Sequence, residues 1–253
     1  MTASLTAALA LAALIGLSLG LMGSGGSIVT LPMLVYVARV PAEVAVAMSL
    51  AIVGGTSLVG GTLAWRRGDV QTRETLLFAA TGMIGASLGS QATHLASPAV
   101  LMVSFAALML VVGLRMLLGA RSASLAQPAE LRPVRFVLVG LAVGALTGFL
   151  GVGGGFLVVP ALVFFGGFDL RRAISSSLIV IALNSASGLA GQLRHVAIDW
   201  PLTLAFLATA LAGMFAARAV ASRFSDAGLR RMFAWSVIAV GCALAAVNLR
   251  LLV

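Results

Sequence analysis

The sequence predicts an all-α integral membrane protein made of two tandem homologous halves. These are read as inverted-topology repeats, each with a Gly-rich broken or re-entrant helix pair plus three spanning helices. Three observations lead there. The chain is 61% hydrophobic and 9% charged with mean hydropathy +1.14, whereas a soluble domain carries about 25% charged residues. Apolar stretches of membrane-spanning length recur from end to end. A shift of 128 residues superposes one half on the other without a gap, taking Gly16 to Gly144, Gly25 to Gly153, Pro32 to Pro160, Ser57 to Ser185 and Gly113 to Gly241.

The apolar segments of the first half run over 5–38, 44–64, 75–93 and 98–118, and those of the second over 135–166, 172–193, 200–217 and 231–250. The polar stretch Gly119–Pro133 divides them. The expected domains are therefore a first transmembrane repeat at 1–118, a polar linker at 119–134 and a second repeat at 135–253. Duplications of this size are typical of secondary transporters, whose substrate sites lie where the repeats meet.

Most segments suit one crossing. The first is too long, since its 34 residues would make a straight helix of about 50 Å against a hydrocarbon core of about 30 Å. Both overlong segments contain a glycine run, "GSGGS" at 23–27 and "GVGGG" at 151–155. Such runs make poor helix, so each segment either crosses once with a break or folds back on itself.

The arginines discriminate between these paths. All sixteen basic residues are arginine. Single crossings distribute them nine to seven, whereas fold-back segments leave only Arg39, Arg194 and Arg250 on one side and thirteen on the other. The second split obeys the positive-inside rule and places the thirteen in the cytoplasm. Each half then makes an odd number of crossings, so the repeats are inverted. Whether both arms of each folded segment cross fully stays open. The formal charge of +9 is thus spent on topology, and no basic soluble domain points to nucleic acid. With no basic residue before Arg39, a cleaved signal peptide is not expected. Cys242, the one cysteine, excludes an internal disulfide.

Irregular backbone at membrane depth is tolerated only where protein buries it or it lines a cavity. A turn opening into a helix near Ser27 or Gly155 would present unpaired N–H groups and a partial positive charge, an anion site. The candidate substrate-binding residues are therefore Gly23, Ser24, Gly25, Gly26 and Ser27 with Gly151, Gly153, Gly154 and Gly155, a positive φ being expected at Gly25 and Gly153. Polar stripes on the following helices complete the set: Ser49, Thr56 and Ser57, then Ser176, Ser177, Asn184 and Ser185. Ser49 to Thr56 and Ser177 to Asn184 each span seven residues and so share a helix face. A hydroxyl that bonds its own helix is the alternative for any one serine, and small-residue packing is the alternative for Gly16/Gly20 and Gly85/Gly89. No carboxylate or arginine falls at the expected membrane centre, which argues against a buried proton relay. His195, just after the second stripe, is the candidate for proton coupling. A nucleotide fingerprint at "GVGGGF" fails at Phe156. Serine-protease chemistry at "MGSGG" fails for want of a base, because His94 and His195 both lie near helix ends.

The duplicated glycine turn followed by proline, the stretch "SSSLIVIALNSASGLAGQL" at 175–193 and "HVAIDW" at 195–200 resemble the sulfite exporter TauE/SafE family over essentially the whole chain. That resemblance implies a multipass transporter of the bacterial inner membrane that exports sulfite or other small sulfur-containing or organic anions. No cofactor, metal or catalysis is implied, the partners being the anion and the lipid bilayer, and the oligomeric state is not indicated. The first half departs from the pattern at Thr56 and at "RRGDVQT", so the two half-sites are not equivalent. An anion channel using the same turns as a filter and a scaffold subunit are the competing classes. The topology makes a first test: cysteines introduced near Ala123 and Ser225 should both be labelled from the cytoplasm only, and labelling from opposite sides refutes the inversion.

Overall fold

The computed structural model describes residues 25–92, 97–118, 133–150, 155–221 and 226–249, and every regular element among them is helical. The helices are α1 (Gly25–Tyr36), α2 (Ala42–Arg66), α3 (Thr72–Ala92), α4 (Pro98–Leu118), α5 (Pro133–Leu150), α6 (Gly155–Gly166), α7 (Leu170–Gln192), α8 (Trp200–Ala221) and α9 (Asp226–Leu249). Gly16, Gly20, Gly23, Ser24, Gly151, Gly153, Gly154, His94 and most of the linker lie outside the described residues.

Four of these helices contain stretches long and apolar enough to cross a membrane: Ala42–Arg66, Val100–Leu118, Leu170–Gln192 and Trp200–Ala217. Large apolar side chains such as Leu58, Ile84, Leu88 and Trp235 point outward, as a lipid-facing surface requires. Several helices begin at proline, whose missing N–H costs nothing in a first turn. Pro133 and Pro98 open α5 and α4, Pro41 precedes α2, and Pro201 is the second residue of α8. Asp169 caps α7, its carboxylate accepting from the Arg172 N–H at 2.9 Å, and Asp199 caps α8 through the Leu202 N–H at 3.0 Å.

Within the long segment 135–166 the described helices are α5, which reaches Leu150, and α6, from Gly155, with residues 151–154 outside the described residues. The far end of α6 then lies beside the start of α5. The Arg135 guanidinium sits over the Phe165 ring at 5.0 Å, and a side-chain carbon at Gly166 would lie 3.1 Å from Phe136. The described parts of α1 and α6 are 12 residues each, about 18 Å. Each contains a proline, Pro32 or Pro160, which removes one internal hydrogen bond.

The centre of the molecule is a set of small-residue seams that fix helix directions. Gly140, Gly144 and Gly148 of α5 lie against Phe78/Thr81, Gly82 and Ala86 of α3 in rising order, so α3 and α5 run parallel. At Gly85, Gly89, Gly144 and Gly148 an added carbon would overlap facing backbone. This is the close helix approach that small-xxx-small spacing permits, and it accounts for Gly85 and Gly89. Helix α7 is also parallel to α3, with Gln71 meeting Ser176, Gly82 meeting Asn184, and Ser90 meeting Gln192. By contrast, α2 and α7 are antiparallel: Leu50 faces Gly188, Gly54 faces Ser185 and Gly60 faces Leu178. Helices α4 and α9 are antiparallel as well, through Gly113 with Ala234 and Ile238, and Gly241 with Met109 and Leu110. Helix α8 runs with α2, since Gly55 meets Leu207 and Gly60 meets Met214.

These directions gather helix ends into two groups. The ends of α2, α4, α6 and α8 and the starts of α3, α5, α7 and α9 share one face. That face carries Arg66, Arg67, Arg73, Arg115, Arg135, Arg171, Arg172, Arg218, Arg230 and Arg231, while Arg39 and Arg194 fall on the other. The tightness of the α3–α5 seam has a measurable consequence. Gly144→Ala should lower stability by about 3 kcal/mol or more, because its carbon meets the Gly82 carbonyl. Gly167→Ala should cost only about 1 kcal/mol, because Gly167 has φ +66 in open space. Thermal unfolding in detergent ranks the two, and equal effects would contradict the seam.

Candidate functional site

The crossing of α2 over α7 brings both polar stripes into the interior. Ser49, Thr56, Ser57, Ser176, Ser177, Asn184 and Ser185 are all buried, none more than 1% exposed. They divide by hydrogen bonding. Thr56 donates to the carbonyls of Ile52 at 2.8 Å and Val53 at 3.0 Å, and Ser177 donates to Ile174 at 2.8 Å. Both satisfy themselves on their own helix, the ordinary behaviour of a membrane hydroxyl. Ser176 Oγ accepts from the Gln71 N–H at 3.4 Å. Ser49 is also bonded.

Three members of the stripes remain without a partner: Ser57 Oγ, Ser185 Oγ, and both Nδ2 and Oδ1 of Asn184. Ser57 and Ser185 occupy corresponding positions in the two halves. Asn184 stands where the first half has Thr56, and that difference decides its state. A threonine hydroxyl reaches its own helix, whereas the longer carboxamide projects to α3 and lies over Gly82, where a side-chain carbon would sit 2.6 Å from Oδ1 and 2.7 Å from Nδ2. An unpaired buried polar group costs about 1–3 kcal/mol. Four such atoms on α2 and α7 are therefore a substantial cost.

The short helices open at a comparable depth. Gly155 begins α6 and is buried, 11 residues before the turn that α6 shares with α7 and thus about 16 Å from that face. Asn184 lies 14 residues into α7 from the same turn, about 21 Å deep. Helix α6 packs along α7, and α1 packs along both α2 and α6. The N-terminal N–H groups and partial positive charge of α6 are therefore held near the level of the unpaired cluster.

One expectation needs correction. Gly25, Gly26 and Ser27 belong to the first turn of α1, so Gly25 is helical rather than in a positive-φ turn. A helix's first residues have no intrahelical partner for their N–H groups, so glycine there gives up little. Positive φ among the described residues falls instead at Gly68, Gly167 and Arg39. His195 lies just beyond α7, exposed, its N–H bonded to the Gln192 carbonyl at 2.9 Å.

The contribution of α3 was not anticipated. Gly82 receives the Asn184 carboxamide, Thr75 Oγ1 is buried and unpaired, Ser187 donates to the Met83 carbonyl at 2.8 Å and Gln192 Nε2 to the Ser90 carbonyl at 3.1 Å. The available signal was the seven-residue spacing of Thr75, Gly82 and Gly89, a small-residue face. The pairing pattern carries its own expectation. Asn184→Leu, similar in shape, should raise thermal stability by about 1–3 kcal/mol by removing two unpaired atoms. Ser177→Ala should change it little. A destabilised Asn184→Leu protein would mean that the carboxamide is a structural support.

A family model described as Sulfite exporter TauE/SafE matches residues 8–244. A protein of Xylella fastidiosa (strain 9a5c), described as "Probable membrane transporter protein", is 35% identical over 233 residues, covering 90% of this chain and 89% of that protein. A protein of Bacillus subtilis (strain 168), "Probable membrane transporter protein YdhB", is 25% identical over 207 residues, covering 80% of this chain and 84% of that one. No solved structure matches the chain.

Proposed function

The chain belongs to the sulfite exporter TauE/SafE family and is a multipass membrane transporter rather than an enzyme. On that premise we propose that it carries a small anion, sulfite or an organosulfonate, out across the bacterial inner membrane by alternating access. The observation that carries this reading is the set of buried, unpaired polar atoms on Ser57 of α2 and on Asn184 and Ser185 of α7. Neutral N–H and O–H donors in a dry site hold an anion without a competing fixed charge. The N-termini of α1 and α6, with Gly23–Ser27 and Gly151–Gly155, supply the backbone half of the cradle.

Inverted repeats at 1–118 and 135–253, joined by 119–134, give this site its two-sided access. The antiparallel contacts of α2 with α7 and of α4 with α9 support that reading, since each pair occupies corresponding positions in the halves. Further support comes from Arg39 and Gly167, 128 positions apart and both at positive φ, and from Phe78 and Phe206, also 128 apart and both fully buried. The placement of the end of α6 beside the start of α5 supports the fold-back of the glycine segments, with second arms that stop within the membrane. The arginine-rich face is the cytoplasmic one under the positive-inside rule. His195, exposed on the opposite side, is the proton-coupling group of this scheme.

The test is counterflow of radiolabelled sulfite in proteoliposomes of the full chain. Saturable exchange is the expected result. Ser57→Ala and Ser185→Ala should each weaken apparent affinity by about 1 kcal/mol or somewhat more, roughly five- to tenfold. Asn184→Leu should abolish exchange while the protein remains folded. Current without counterflow would identify a channel, and undiminished exchange by Asn184→Leu would remove the site from this crossing.

A further inference from the structure

The carrier reading leaves the protonation state of the anion open, and the chemistry of Asn184 narrows it. A carboxamide has one donating and one accepting end, whichever way it is turned. At Asn184 both ends are buried and unpaired, so an occupant that satisfies the residue must accept at one end and donate at the other. A fully ionised oxyanion offers lone pairs only and would set acceptor against acceptor at Oδ1. The Ser57 and Ser185 hydroxyls, free to rotate, donate to whatever oxygens remain.

The electrostatics act in the same direction. The ionisable side chains on the helices packed around Asn184 are Glu43 and Arg66 on α2, Arg73 and Glu74 on α3, Arg135 on α5, and Arg171 and Arg172 on α7 itself, with Asp226, Arg230 and Arg231 on α9 and none on α6. Those on α2, α3, α5 and α7 lie at helix ends. Glu74 comes nearest in sequence, eight residues before Gly82, or about 12 Å along the helix. Segments 1–24 and 151–154 contain no charged residue. A site so poor in counter-charge penalises charge steeply, the Born cost growing with its square, so a dianion costs about four times as much to bury as a monoanion.

We propose that the anion occupies this site as its hydrogen-bearing monoanion, of the hydrogensulfite type, with its O–H donating to the Asn184 carbonyl oxygen and its other oxygens accepting from Asn184 Nδ2, Ser57 and Ser185. The proposal rests on the carrier reading. It also separates the two substrate classes named there, because a sulfonate monoanion has no acidic proton to give.

The experiment is the same counterflow assay run across the second ionisation of the ligand. With sulfite, the apparent KM on total ligand should rise about tenfold per pH unit above that ionisation, following the shrinking protonated fraction. With selenite, whose second ionisation lies higher, the break should move up accordingly. Sulfate and methanesulfonate, one a dianion and the other a monoanion without a proton, should each compete at least tenfold less well than sulfite at the low-pH end. Asn184→Thr restores the residue of the first half, whose hydroxyl is satisfied by its own helix, and should bind sulfite more weakly with a KM that no longer follows the ligand's ionisation. A wild-type KM that is flat or falls with pH overturns the protonation proposal and leaves the carrier reading standing. A break at the same pH for both ligands, equal competition by methanesulfonate, or an Asn184→Thr profile that still tracks ionisation also overturns it. Failure to observe saturable exchange of any of these anions at any pH overturns the carrier reading and the proposal with it.

Discussion

Inside a bilayer there is no water to complete a hydrogen bond, so every polar atom of the chain must be satisfied by the chain itself or by what it carries. The rest of this structure follows from that constraint. It makes the described segments helical, and it returns the hydroxyls of Thr56 and Ser177 to their own carbonyls. Gln192 and Ser187 are likewise spent on tying α7 to α3. Among the described residues, Ser57, Thr75, Asn184 and Ser185 carry buried polar atoms without partners.

The helices around these residues are held by close packing and by hydrogen bonds between helices. Glycines on α3 and α5 let the two backbones approach until no side-chain carbon fits between them, which makes α3 a fixed wall. Helix α7 is then bonded to that wall on both sides of Asn184, at Gln71–Ser176 below and at Met83–Ser187 and Ser90–Gln192 above. The carboxamide lies over Gly82 without a partner. The corresponding contact of α2 with α8 is apolar, built from Val59, Leu207, Leu211 and Met214. The two contacts differ in chemistry: that of α7 with α3 is hydrogen-bonded and that of α2 with α8 is apolar.

Much was legible in the sequence. Composition determined the membrane class, because 9% charged residues cannot cover a soluble surface. The apolar segments 44–64, 75–93, 98–118, 172–193 and 200–217 located α2, α3, α4, α7 and α8. The arginine split anticipated which helix ends share a face, since charge at a membrane surface is a one-dimensional signal that survives without coordinates.

Only the tertiary structure decided which polar residues are left without a partner. Ser49, Thr56, Ser57, Ser177, Asn184 and Ser185 look alike in sequence, being small polar residues on two apolar helices. Whether a hydroxyl bonds its own backbone depends on its rotamer, and whether an asparagine is stranded depends on what faces it across the interface. The Gly82 notch and the parallel course of α3 and α7 supply those answers, and neither is a local property. Length, period and charge are written along the chain. Hydrogen-bond satisfaction is a relation between segments a hundred residues apart, settled only when α2, α3 and α7 close around the same point.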